Sequence, residues 1–152
     1  MSEQQFPFDA ESGIYFSSEE IDFAFTSEER TSEWLQKVIE QEEHSLLLLN
    51  FIFCSDEYLH RLNVGYLHHD TLTDVITFPY EESPLVAGDI FISIDRVREN
   101  AAEFQTSFEH ELNRVMVHGV LHLCGYGDKT ESDKKLMRGK EDEALALRKW
   151  GS

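Results

Sequence analysis

The chain has 152 residues, 41% of them hydrophobic, with eleven Phe, five Tyr and two Trp, and a formal net charge of −17 at neutral pH. That length fits one domain, residues 1–152, with a real core, and that aromatic content excludes a disordered chain. The acidity argues against tight binding to naked nucleic acid, whose affinity comes largely from neutralised phosphates.

The segment Met1 to Asp9 lacks a basic region followed by an apolar stretch, so it does not read as a secretory signal. Gly13 to Phe16 and Ile21 to Phe25 read as two short strands, the second alternating apolar and acidic residues. Thr31 to Glu43 reads as a helix with Trp34, Leu35, Val38 and Ile39 on its apolar face and Thr31 or Ser32 as N-cap. Leu46 to Phe53 is a nearly continuous apolar run, the pattern of a central strand buried on both faces. With Cys54 it is the longest such run, but Asn50 breaks it and it is far too short to span a bilayer. Ser55-Asp56-Glu57 opens a helix through about Gly65. Thr73 to Phe78 is a strand stopped by Pro79, and Gly88 to Ile94 is the next, with Asp95 expected to cap the following helix. A helix from Ser107 to Cys124 and a last one from Ser132 to Lys149 complete the series. Strands and helices mixed in this irregular order predict an α+β domain, one sheet with helices packed on it. Phe and Tyr at strand spacing are expected in the core before any role in stacking on bases. Two cysteines make no disulfide framework, so Cys54 and Cys124 read as buried free thiols in a reducing compartment, the cytoplasm, with no membrane involved.

The densest chemical signal lies where the Ser107–Cys124 helix ends. His118 and His122 are four apart and therefore project from one face of a helix. Gly125 can end that helix in a left-handed conformation, so that Asp128 returns towards the imidazoles. Three ligands from one stretch, with a fourth position open, is the pattern of a catalytic zinc site rather than a structural one. The spacing matches the zinc-protease pattern H-E-x-x-H-x-x-G-x-x-H/D at every ligand position. Gly119, however, stands where a protease needs its glutamate base. His110-Glu111 imitates the start of the same motif, but Arg114 follows where a second histidine would be; the pair reads as exposed helix surface.

The run of His118, Gly119, Leu121, His122, Leu123, Gly125 and Tyr126 resembles the signature of the YbeY family of metal-dependent endoribonucleases, H-G-x-L-H-L-x-G-Y-D-H. Leu62-Asn63 with Tyr66, Thr73 to Phe78, and Gly88-Asp89-Ile90 are similar to further family blocks, so the resemblance covers roughly residues 45 to 145. It implies a mixed sheet of about four strands with the metal in a cleft beside it. It also implies one zinc ion per chain on His118, His122 and Asp128, and cleavage of single-stranded RNA in maturation of the small-subunit ribosomal RNA 3′ end and in ribosome quality control. Implied partners are ribosomal RNA, the small ribosomal subunit and a ribosome-assembly GTPase. Two positions depart from the pattern. Asp128 replaces the third histidine, and Leu67 stands where the family usually has arginine, which removes a cationic contact to phosphate. His68 or His69 are substitutes for that contact, or simply solvated loop histidines. The catalytic residues stay unassigned, with Asp74, Asp89 and His68 as candidates. Asp74 is either a strand cap or a lining of the cleft; Asp89 is either a turn residue or a site carboxylate.

Charge is uneven along the chain. Residues 1–50 carry 12 acidic and 2 basic side chains, residues 51–100 carry 9 and 3, and residues 101–152 carry 9 and 8. The acidic first third reads as solvated surface. Arg96, Arg98, Arg114, Lys129, Lys134, Lys135, Arg138 and Lys140 form either a basic surface near the site or ordinary exposed helix charges. Binding to naked RNA is expected to be weak and salt-sensitive. Two other functions stay open: a metalloprotease-like hydrolase, favoured by ligand spacing, and a non-catalytic ribosome-assembly factor stabilised by zinc.

Overall fold

The apolar run around residue 50 becomes the spine of a sheet. The computed structural model describes residues 13–68 and 73–150. Four strands, β1 (Gly13–Glu19), β2 (Ser45–Cys54), β3 (Val75–Pro79) and β4 (Leu85–Ser93), lie in the order β1-β2-β4-β3. β1 and β4 run parallel to β2, while β3 runs antiparallel to β4. The sheet is thus mixed and four-stranded, and with its helices the domain is α+β, as the sequence predicts.

Period-two alternation sends each strand's side chains to opposite faces. On one face Leu49, Phe51, Phe53, Ile90 and Ile92 are fully buried. They pack with Trp34, Leu35 and Ile39 of α1 (Glu28–Gln41), Val97 of α3 (Ile94–Glu103), Met116 and Leu121 of α4 (Phe108–Leu123), and Met137 of α5 (Glu131–Ala146). Truncating a residue such as Phe51 to Ala would cost about 3–5 kcal/mol. The other face is only partly covered: α2 (Asp56–Leu67) lays Leu59, Tyr58 and Leu62 over Cys54, Ile76, Phe78 and Phe91. Both cysteines are buried free thiols, and burial pushes each up to a pKa of about 12. Among the described residues no helix is long and apolar enough to cross a membrane.

Three local expectations are corrected. Ile21 to Phe25 forms no strand. Glu20 adopts a left-handed φ of 54°, the chain leaves the sheet, and the Ser18 hydroxyl donates to the Phe23 carbonyl at 2.8 Å. The alternation still serves burial, because Phe23 and Phe25 pack their rings against Phe53 at 5.3 and 5.2 Å between centroids. α1 begins at Glu28, with Ser27 at its N-cap position, so Thr31 lies buried within the first turns rather than capping them. Glu28 and Glu29 suit the positive end of the helix dipole. The α3 cap is Ser93, whose hydroxyl accepts from the Arg96 amide at 3.0 Å. Asp95 instead reaches across to accept from the Asp56 amide at 2.9 Å and so satisfies the start of α2.

α4 sits unusually close to the sheet. A Cβ on Gly119 would come within 2.9 Å of two Ile90 side-chain atoms, so only glycine permits this approach. That contact sets the depth of the histidine-bearing end of α4 against β4.

Candidate metal centre

Ser107 caps α4 by accepting from the His110 amide at 3.0 Å, and the helix ends in a Schellman motif. The Tyr126 amide donates to the Leu121 carbonyl at 3.1 Å and the Gly125 amide to the His122 carbonyl at 3.0 Å. Gly125 takes a φ of 103°, a conformation open to glycine without cost. The chain thereby folds back, and Asp128 arrives over the last turn of α4.

One oxygen of Asp128 lies 3.3 Å from His118 Nε2 and 3.2 Å from His122 Nε2. The two imidazoles stand nearly perpendicular, 86° apart with centroids separated by 4.6 Å. Ligand atoms of the three residues all fall within 4.8 Å of one another, a grouping that could hold a metal ion. The opposite ring nitrogens face acceptors: His118 Nδ1 lies 2.6 Å from Glu141 Oε2, and His122 Nδ1 lies 2.9 Å from the Tyr126 carbonyl. When each Nδ1 carries its hydrogen, both Nε2 lone pairs point at an anionic oxygen. Three electron-rich atoms then converge with no hydrogen among them, which a cation relieves. The donor set fits zinc, and the partners behind it are of the kind that fix tautomer and ring orientation in metal sites.

Glu141 anchors this arrangement from α5. It is buried, accepts from Arg114 Nη1 at 2.8 Å as well as holding His118, and Arg114 also donates to Asp142 at 2.7 Å. Burial alone would raise the Glu141 pKa, but its bonds to His118 and Arg114 prevail and hold it below the ordinary carboxylate value. Burial alone would lower that of His118, but the Glu141 bond and charge prevail and raise it. A second brace supports His122. Tyr126 donates its hydroxyl to Glu42 at 2.6 Å, and Lys140 pairs with the other Glu42 oxygen at 3.3 Å. Neighbouring α5 residues, Lys140 and Glu141, thus steady both histidines.

The triad opens into a cleft of about 860 Å³ whose walls include Asn63, Leu67, Asp74, Glu82 and Lys129. Asp74 stands in that wall, where burial pushes its carboxyl above the usual range; Asn100 donates to it at 3.5 Å. His68 lies elsewhere: it is exposed, ends α2 with a left-handed φ of 59°, and does not line the cleft although Leu67 does. His69 falls outside the described residues. Asp89 is corrected outright. Gly88 and Ile90 face α4, so strand alternation turns Asp89 to the far side of the sheet. There it accepts from Asn50 at 3.0 Å and lines a separate groove with Tyr15, Tyr80 and Phe91.

Glu111 is also unlike its expectation. It is buried rather than exposed, and desolvation raises its pKa. The basic surface does not assemble from all eight candidates. Arg96 is bound to Asp56 and Glu99, Arg114 to Glu141 and Asp142, and Lys140 to Glu42 and Glu143, while Arg98 lies over the Phe108 ring. Glu141, Glu42 and the supporting role of Arg114 were not found in the sequence. Arg114 had one available signal, its place four residues before His118 on the same helix face.

Comparison with known proteins decides the family. The family model described as "Endoribonuclease YbeY" matches residues 14–149. This chain belongs to the YbeY family. A Flavobacterium johnsoniae relative named "Endoribonuclease YbeY" is 52% identical over 84% of this chain and 92% of its own length. The relative of that name from Cytophaga hutchinsonii is 46% identical over 92% of this chain and 99% of its own. Among solved structures, TM1509 from Thermotoga maritima matches with a TM-score of 0.65 and 32% identity, covering 88% of this chain and 87% of that one. The stretch matched by the family model contains the Schellman turn and the His118–His122–Asp128 cluster.

Proposed function

We propose that this YbeY-family chain is a zinc-dependent endoribonuclease specific for single strands, acting in maturation of the small-subunit ribosomal RNA 3′ end and in ribosome quality control in the cytoplasm. The observation that carries the reading is the convergence of His118 Nε2, His122 Nε2 and Asp128 Oδ2 at the mouth of an open cleft. When bound, the metal supplies Lewis acidity, polarising a phosphoryl oxygen and easing the ionisation of water. The protein does the positioning. Glu141 and the Tyr126 carbonyl keep both Nε2 atoms free for the ion, and Asp128 adds negative charge that keeps the centre electrostatically balanced. Asp74, whose carboxyl burial holds above the usual carboxylate range, is the residue best placed in the cleft wall to take a proton from the attacking group. A single strand is the substrate of this reading, because its bases are free to splay from the backbone. Ribosomal RNA, the small subunit and an assembly GTPase are the partners of this reading, delivering substrate to an acidic protein that binds free RNA weakly.

The metalloprotease alternative loses ground on geometry. A glutamate at position 119 would have its Cβ driven into Ile90, facing the sheet rather than the cleft. The assembly-factor alternative is separated by experiment. Purified wild type and His118→Ala are assayed together for zinc content and for cleavage of a short single-stranded RNA. Wild type should hold about one zinc per chain and cleave; the variant should lose both. Zinc-loaded wild type that leaves RNA intact, yet supports subunit assembly, would favour the non-catalytic factor.

A further inference from the structure

The cleft does not end at the metal ligands. A second cavity of about 320 Å³ adjoins it, and Asp74, Val75, His118 and Asp128 line both. The two spaces therefore meet at the metal centre. Among the described residues, each contains one basic side chain not consumed by the fold. In the main cleft it is Lys129, exposed and directly following the ligand Asp128. In the side cavity it is Arg138, whose side chain is 64% exposed and whose ion pair to Glu141 is stretched to 4.0 Å. Arg114, the side cavity's other cation, is already held by two carboxylates at 2.8 and 2.7 Å. The remaining charged lining is acidic, with Glu81 and Glu82 in the main cleft and Glu111 and Glu141 in the side cavity, so these two cations are the groups an anionic strand would seek.

An RNA strand crossing the metal presents one phosphate to it and one more on each side. On a chain of net charge −17, those flanking phosphates need local cations. We propose that Lys129 and Arg138 bind the phosphates flanking the scissile one, so that the single strand runs from the main cleft over His118 and Asp128 into the side cavity. This rests on the ribonuclease reading above and adds a path and two contacts to it. The arginine-sized gap at Leu67 is thereby bypassed, because the cations come from the loop after α4 and from α5.

The test uses full-length zinc-loaded protein and an end-labelled oligouridylate, with binding measured across a salt series and cleavage at one salt. Each phosphate contact contributes about 0.7 to the slope of log affinity against log salt for a single strand. Lys129→Ala and Arg138→Ala should each reduce that slope by about 0.7, and the double variant by about 1.4. KM should rise with kcat unchanged, the signature of lost ground-state binding, and Arg138→Lys should restore the slope. Zinc content should stay at the wild-type value. Lys134→Ala, exposed on α5 and lining neither cavity, should leave the slope unaltered. The proposal is overturned if Lys129→Ala or Arg138→Ala keeps the wild-type slope, if Lys134→Ala lowers the slope as much as they do, or if Arg138→Ala acts by losing zinc through Glu141. A wild type that neither binds nor cleaves RNA sinks the ribonuclease reading itself, an outcome distinct from wild-type cleavage that both substitutions leave untouched.

Discussion

Two carboxylates on opposite faces of the sheet invite the same guess and have different surroundings. Asp89, on β4, accepts from Asn50, and burial of Tyr80, with its hydrogen bond to Asp89, pushes that phenol up to about 12. Its polar partners come from β2 and from the residue just past β3. Asp74, just before β3, is bonded by its own backbone and, at 3.5 Å, by Asn100, and it faces the cleft beside two histidines that converge on Asp128. A closed network stabilises; an open one has capacity left for a ligand. The comparison suggests that unmet polar groups, rather than carboxylates as such, mark where chemistry happens.

The cleft side should respond most. His118→Ala removes a ligand and should abolish zinc binding and RNA cleavage together. Asp74→Asn should retain zinc and the melting temperature but lower kcat by about 10²–10⁴-fold, the usual worth of a general base. Wild-type kcat in that variant would return Asp74 to a strand-start role. Glu141→Gln keeps the shape but removes the charge behind His118, and zinc affinity should fall about 10–100-fold in a chelator competition. Unchanged affinity would show that Glu141 serves only to pair with Arg114.

Legibility followed the range of the signal. The His118–Asp128 constellation was readable because helix periodicity and one glycine confine all three ligands to eleven residues. The helix-bearing face of the sheet was readable from Trp34, Leu35 and the run around Phe51. Ile21 to Phe25 misled because alternation reports which side chains are buried, and Phe23 and Phe25 achieve that without a ladder. Asp89 misled because its facing depends on which side of β4 receives α4, a choice fixed by the Gly119–Ile90 contact far along the chain. Glu141 and Glu42 were silent for the same reason. Each meets the site from another helix, with no fixed spacing to the histidines.

Glu111 offers a smaller effect that sharpens the contrast from within the cleft side. Its raised pKa means that the folded state binds the proton more readily than the unfolded chain, so stability declines as pH climbs past its unfolded value. Glu111→Gln should therefore stabilise the protein at neutral pH, by about 1 kcal/mol, the scale of a poorly satisfied buried polar group. The gain should be fully present above the folded pKa and vanish below the unfolded one. Urea midpoints measured at acidic and neutral pH test it, and an equal shift at both would show that packing, rather than ionisation, is responsible.

The least effect is expected across the sheet. Asp89→Asn preserves the oxygen that accepts from Asn50 and removes a charge that lines the Tyr15–Tyr80 groove rather than the metal cleft. Stability should change by no more than about 0.5–1.5 kcal/mol, the net worth of one hydrogen bond. Zinc content and the cleavage rate on a short naked RNA should match wild type, since β4 separates this side chain from His118. Paired with Asp74→Asn under identical conditions, it isolates position from chemistry: both substitutions neutralise one carboxylate near the sheet. Equal losses of cleavage in the two variants would mean that general acidity, or the sheet's integrity, governs the rate, and the distinction between a closed and an open polar network would fail.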